Sequence, residues 1–254
     1  MRDGFTLFDS HVHIGTARHT GRRHPAAAIV ADMDEFGVDY SVAIPFPVVD
    51  DFRQQHDEIG AAIRQYPGRL AGAACLNPFI PPQDFRDEVR RCREQHGFRA
   101  LKFQPQYQAM NPLLASSSFL FETAIENQMT LIVHTGSGIP FSLPSMYLLA
   151  AQRYPELNFV MAHCGGGGLF FGEAIVAATL FPNIYLELSS LMPNQVLEVL
   201  ERIPSHRLMA GSDLPENLRT EFTKLLELKI TTAEKQNILS ATALRLFGHP
   251  STAE

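Results

Sequence analysis

Residues 7–13 read Leu7-Phe8-Asp9-Ser10-His11-Val12-His13, an apolar start of strand type that finishes on two histidines one residue apart. In an extended strand, side chains two apart share a face, so His11 and His13 point one way while Ser10 and Val12 point the other. Similar short apolar runs recur down the chain: YSVAIPFP from Tyr40, RLAGAACL from Arg69, ALKFQP from Ala100, TLIVHTG from Thr130, NFVMAHCG from Asn158, NIYLELSS from Asn183 and RLMAGSD from Arg207. With the first, that makes eight runs whose starts lie 24 to 33 residues apart, room for one strand, two loops and one helix each.

The intervals carry helical patterns. Ile59, Ile63 and Tyr66 share a face after the acidic start Asp50-Asp51, and Phe85, Val89 and Cys92 follow Pro81-Pro82-Gln83-Asp84. Residues 169–180 are apolar on most sides, as suits a helix pressed on a sheet, while residues 216–228 alternate Glu and Lys around Phe222, Leu225 and Leu226. A closing helix starts at Thr231-Thr232-Ala233-Glu234, where a threonine cap can take a backbone N–H, and ends at Gly248-His249-Pro250. Eight even strand–helix units with no linker between them predict an α/β fold, a parallel (β/α)8 TIM barrel spanning residues 1–254 as one domain. A doubly wound open sheet is the runner-up, but the GxGxxG turn it needs after its first strand is missing.

Of the 254 residues, 45% are apolar and 19% charged, against about 25% charged in an average soluble protein, so much of the chain expects burial. Twenty-one Lys and Arg against 27 Asp and Glu leave a net charge of -6, without the basic surface that a nucleic acid requires. No window reaches about 18 apolar residues in a row, which argues against a membrane span. Cys75, Cys92 and Cys164 form no CxxC pair and leave one over in any disulfide scheme, so a reducing compartment is expected. The start Met1-Arg2-Asp3-Gly4 carries no signal-like apolar block, and a cytoplasmic location follows as the expectation.

In a TIM barrel the active site lies at the C-terminal ends of the strands. Titratable residues fall there: His11 and His13 end the first run, His134 the fifth, His163 the sixth and Asp213 the eighth. An HxH alone is weak, since two core or surface histidines would look the same. Four strands delivering imidazoles and a carboxylate to one rim is a far more specific pattern.

These residues resemble the metal-dependent amidohydrolase superfamily, specifically its amidohydrolase-related branch, which includes aminocarboxymuconate-semialdehyde decarboxylase. DSHVHIG is similar to that branch's first-strand HxH, LIVHTG to its fifth-strand histidine, MAHCGGGG to its sixth-strand histidine with glycines, AGSDLP to its eighth-strand aspartate and SATALRLFG to its closing helix. The resemblance implies that His11, His13, His134 and Asp213 hold one divalent metal, Zn2+ first, with Mn2+, Fe2+ or Co2+ as other options. It also implies that Asp213 accepts the proton of a metal-activated water and that His163 acts as proton donor or polariser. In two-metal relatives the equivalent of His163 is a ligand and a carboxylate bridges the ions; the candidate bridge here is Lys102, if carbamylated. Otherwise Lys102 is an ammonium that meets an anionic substrate or pairs with a buried acid such as Glu187.

The implied activity is hydrolysis of an amide, ester or lactone bond of a small molecule. Non-oxidative decarboxylation of a small unsaturated or aromatic carboxylic acid is the alternative, and a non-catalytic scaffold with a structural metal is a third. Gln104, Gln106, Tyr107 and Ser190 fall where substrate contacts are made. The first loop carries Arg18, His19, Arg22, Arg23 and His24, a cluster that reads either as a solvated loop or as a collector of carboxylates. Cys164 reads as a small buried group, and His56, His96, His206 and His249 carry no site logic. A homodimer is among the states the resemblance allows.

Overall fold

The structure, a computed structural model, describes residues 1–18 and 20–250. Its strands are β1 (Phe8–Thr16), β2 (Arg23–His24), β3 (Tyr40–Pro45), β4 (Leu70–Ala74), β5 (Ala100–Phe103), β6 (Thr130–His134), β7 (Phe159–Ala162), β8 (Ile184–Glu187) and β9 (Leu208–Met209). The eight apolar runs are β1 and β3 to β9, paired in parallel in sequence order. Main-chain bonds then join the last strand to the first: Ser10 N–H donates to Ala210 O at 3.0 Å, Asp213 N–H to His11 O at 2.7 Å and His13 N–H to Asp213 O at 2.9 Å. The sheet therefore closes into the TIM barrel, with no free edge at the seam.

Two apolar layers follow from the two-residue period. The barrel interior holds Phe8, Val42, Ile44, Ala71, Ala73, Ile132, Val160 and Met209, and Phe247 from the closing helix seals its floor. The outer layer, between the sheet and the helices, includes Val12, Phe85, Phe103, Leu131, Phe159, Leu186 and Phe222. Each such side chain contributes about 1.5–3 kcal/mol on burial. Helices Phe52–Gln65, Pro82–His96, Phe171–Leu180 and Leu218–Glu227 cover the barrel where the periodicity placed them. At Thr231 the expected capping box is present, with Glu234 N–H donating to Thr231 Oγ1 at 3.2 Å and Thr231 N–H to Glu234 Oε2 at 2.8 Å. A π turn over Asn237–Ala241 leaves the carbonyl of Ile238 to accept Ala210 N–H at 2.9 Å, which anchors the closing helix on the last barrel strand.

The first loop departs from a plain loop reading. Arg23–His24 pairs antiparallel with Gly15 and Thr16, and His24 is buried with its ring 5.9 Å from that of Phe46. A two-residue strand has no period to read, so nothing in the sequence announces it. Among the described residues no helix is long and apolar enough to cross a membrane.

Candidate active site

The HxH reaches the barrel mouth because β1 is irregular. Its register against β3 shifts between Asp9 and Val12, so Phe8 and the later His11 both face inward although their positions are three apart. Such a bulge re-aims side chains at a functional rim. A clamp at the seam secures it: Asp9, wholly buried, accepts the N–H of His11 at 3.1 Å and that of Ser212 at 2.9 Å, tying the histidine strand to the aspartate strand.

Three imidazoles surround one carboxylate oxygen. Asp213 Oδ1 lies 3.6 Å from His11 Nε2, 3.6 Å from His13 Nε2 and 3.8 Å from His163 Nε2. His13 stacks on Phe46 at 4.9 Å, which fixes its plane. Asp213 (φ 64°) and His163 (φ 65°) both sit in the left-handed region, a conformation that costs of order 1–3 kcal/mol at non-glycine residues and gathers at functional sites.

Burial holds the His11 and His13 imidazoles well below their ordinary range and takes His163 down to about 4 and His134 down to about 2, so all four rings are neutral near pH 7. Burial pushes the Asp213 carboxyl up, against the pull of His13 and Lys102. Lys102, also buried, is lowered to about 8 by the same desolvation, with Asp213 opposing. Neutral imidazole is the form that ligates. His11, His13 and Asp213 bring one donor atom each within 4.8 Å of one another, a nitrogen and oxygen set that can hold a divalent cation.

His134 stands apart from that group. Its ring lies 4.8 Å from that of His163, but its Nε2–H donates to Ser137 O at 3.0 Å, which directs the nitrogen at its own loop. Lys102 points inward and is 1% exposed; its Nζ donates to His11 Nε2 at 2.9 Å instead of pairing with Glu187. Gln104 and Tyr107 line a cavity of about 140 Å³ together with His13, Asp213, Phe46 and Arg22. Ser190 is exposed, and its N–H donates to Glu221 Oε1 at 3.0 Å. The hydroxyl that reaches His163 belongs to Ser189, 2.7 Å from Nδ1.

Sequence reasoning also passed over Glu187 as a site residue. Tyr185, Glu187 and Ser189 share the inward face of β8 by the same alternation that singled out the histidines, and that alternation is the signal that would have found them. Cys164 is fully buried and its thiol is pushed up by that burial, so it is inert packing. His56 plays a structural part, donating from Nδ1 to Glu88 at 2.8 Å and accepting Cys75 N–H at Nε2 at 3.0 Å, which pins helix Phe52–Gln65 to its neighbour. In the first loop Arg18 pairs with Asp50, Arg22 faces the cavity, and His19 lies outside the described residues.

Comparison with known proteins identifies the family. The amidohydrolase family model matches residues 8–249, and the chain belongs to that enzyme family. No curated protein matches it. Among solved structures it is similar to 5-carboxyvanillate decarboxylase from Novosphingobium aromaticivorans, with bound manganese and 3-methoxy-4-hydroxy-5-nitrobenzoic acid, at 14% identity over 96% of this chain and 97% of that one, TM-score 0.77. It is similar to dihydroxybenzoic acid decarboxylase from Polaromonas sp. JS666, with bound manganese and 2-nitroresorcinol, at 15% identity over 96% and 97%, TM-score 0.75. A third likeness is to 4-oxalomesaconate hydratase from Rhodopseudomonas palustris, at 20% identity over 95% of each chain, TM-score 0.70. At these identities the likeness establishes the shared barrel.

Proposed function

We propose that the chain is a metal-dependent, non-oxidative decarboxylase of a small aromatic or unsaturated carboxylic acid. The observation that carries this reading is positive charge beside the histidine–aspartate cluster: Lys102 Nζ lies against His11, and Arg22 lines the cavity that holds His13 and Asp213. Two cations at the mouth suit a carboxylate substrate. The manganese-bound decarboxylases among the structural relatives support the same choice and set Mn2+ beside Zn2+ as the ion.

In this reading His11, His13 and Asp213 would hold the cation, and His134, whose Nε2 is taken up by Ser137 O, would add a fourth donor only through Nδ1. When bound, the cation would supply Lewis-acid polarisation of the substrate's oxygens. Arg22 orients the carboxylate together with Lys102, whose Nζ would leave His11 Nε2 to the cation, and Phe46 packs His13 from behind. A proton carried on His163 Nε2, 3.8 Å from Asp213 Oδ1, passes to the carbon that bears the carboxylate. The C–C bond pair stays on that carbon, CO2 leaves, and no oxidant or reductant takes part.

A second reading, hydrolysis of an amide, ester or lactone, draws on the raised carboxyl of Asp213, which is then a stronger base than an ordinary carboxylate. One screen separates the two. Hydroxylated and methoxylated benzoates and small lactones are incubated with the chain and Mn2+, and CO2 and ring-opened acids are measured. CO2 from a benzoate supports decarboxylation; lactone opening with no CO2 from any acid overturns it in favour of hydrolysis.

A further inference from the structure

Glu187 is wholly buried at the end of β8 and touches two of the site histidines. Its Oε1 accepts Ser189 N–H at 2.6 Å, and its Oε2 accepts His163 N–H at 3.0 Å and the Ser189 hydroxyl at 2.9 Å. The same Oε2 lies 3.3 Å from His11 Nδ1. Ser189 Oγ in turn lies 2.7 Å from His163 Nδ1. We propose that Glu187 is a positioning residue that sets the tautomer of both histidines, His11 directly and His163 through Ser189, so that each presents a bare Nε2 toward Asp213.

The proton count leads there. Both Glu187 oxygens already accept main-chain N–H groups, Oε1 from Ser189 and Oε2 from His163, so Glu187 meets His11 as an acceptor and His11 Nδ1 carries the hydrogen of that contact. A neutral imidazole has one ring proton, which leaves His11 Nε2 bare. Lys102 gives an independent check, because its ammonium only donates and it sits 2.9 Å from that same Nε2. Ser189 has a single hydroxyl proton, and it is committed to Glu187. Its oxygen can therefore only accept from His163 Nδ1, and His163 Nε2 is bare as well. Reversing the Ser189 hydroxyl would set its oxygen against Glu187 Oε2 at 2.9 Å with no proton between them.

The consequence reaches the chemistry. A neutral His163 meets Asp213 as a proton acceptor and becomes a donor only after Nε2 has gained a proton. Glu187 also presents the His11 lone pair inward, as carboxylate partners of ligating histidines do. There is no room to relax around it: a Cβ on Gly211 would fall 2.7 Å from Glu187 Oε1 and 3.0 Å from His11 Cβ.

The test is 15N-histidine NMR on the full chain, with Zn2+ as a diamagnetic ion and again after chelator treatment, joined to Mn2+ titration. Wild type should show Nδ1–H tautomers for His11 and His163. Glu187→Gln should shift both and weaken Mn2+ binding about 10–100-fold. Ser189→Ala should shift His163 alone and leave His11 as it was, a split that a merely structural role would not produce; it also serves if Glu187→Gln fails to fold. An Nε2–H tautomer at His163 in wild type, or unshifted tautomers in either variant, would overturn the inference. The metal arm rests on the reading of His11 as a ligand. Shifted tautomers with unchanged Mn2+ affinity would uphold the role of Glu187 and sink that ligand assignment.

Discussion

His13 Nε2 lies 3.6 Å from Asp213 Oδ1, and the main-chain N–H of His13 donates to the carbonyl of the same aspartate at 2.9 Å. Residues from the first and last barrel strands thus meet twice, once through backbone and once through side chain. The hydrogen bonds that close the sheet also bring the site's ends together, so closure of the barrel and assembly of the site are one event.

Asp213→Asn keeps the shape, and Asn tolerates the left-handed backbone at this position. It removes the carboxylate's charge. Steady-state turnover should drop about 10²–10⁴-fold, the usual scale for losing a positioned acid or base. Thermal unfolding should move little, and a variant that turns over at the wild-type rate would exclude Asp213 from the chemistry.

Gly211→Ala forces a Cβ against Glu187 and His11, two buried groups held by several hydrogen bonds. Overpacking of this kind typically costs about 1–3 kcal/mol. Urea unfolding of the variant should show that loss, and stability equal to wild type would mean that the pocket around Glu187 yields more easily than its packing indicates.

Glu88 should govern acid stability. It is 1% exposed; burial pushes its carboxyl up, but hydrogen bonds from His56 and Arg91 outweigh this and hold it at about 2, below the ordinary 4.5. A depressed carboxylate stabilises the folded state fully above its unfolded value. The contribution therefore shrinks as pH falls from about 4.5 and is gone below about 2. Glu88→Gln should lose about 3–5 kcal/mol at pH 7, the scale for removing one partner of a buried pair. The gap between variant and wild type in urea unfolding should narrow at pH 3, and a gap that widens there would contradict the assignment.

Stripping the protein with a chelator should abolish turnover and leave the far-UV circular dichroism nearly unchanged, because the two apolar layers fold the barrel without help from the site. Loss of the fold together with activity would instead mark a structural metal.

The barrel was legible because its strands are apolar runs at even spacing, and burial on both faces demands such runs in a parallel sheet. The rim histidines and Asp213 were legible because they interrupt those runs at their C-terminal ends. The β1 bulge was not, since a register shift leaves no trace in residue type, although it decides that His11 and His13 face inward. His134 was located but not its bond to Ser137, which depends on the shape of the loop after β6. Ser189, on the inward alternation of β8, carries the hydroxyl that reaches His163, and it was not singled out in the sequence. Lys102 against His11 could not be read either, because it depends on how far β1 and β5 lean together across the mouth.

The most direct test is calorimetric titration of Mn2+ into metal-free protein, run beside His13→Ala and Asp213→Ala. A single site per chain that both substitutions abolish is the result this account requires. Undiminished binding in those variants would place the cation elsewhere and contradict it.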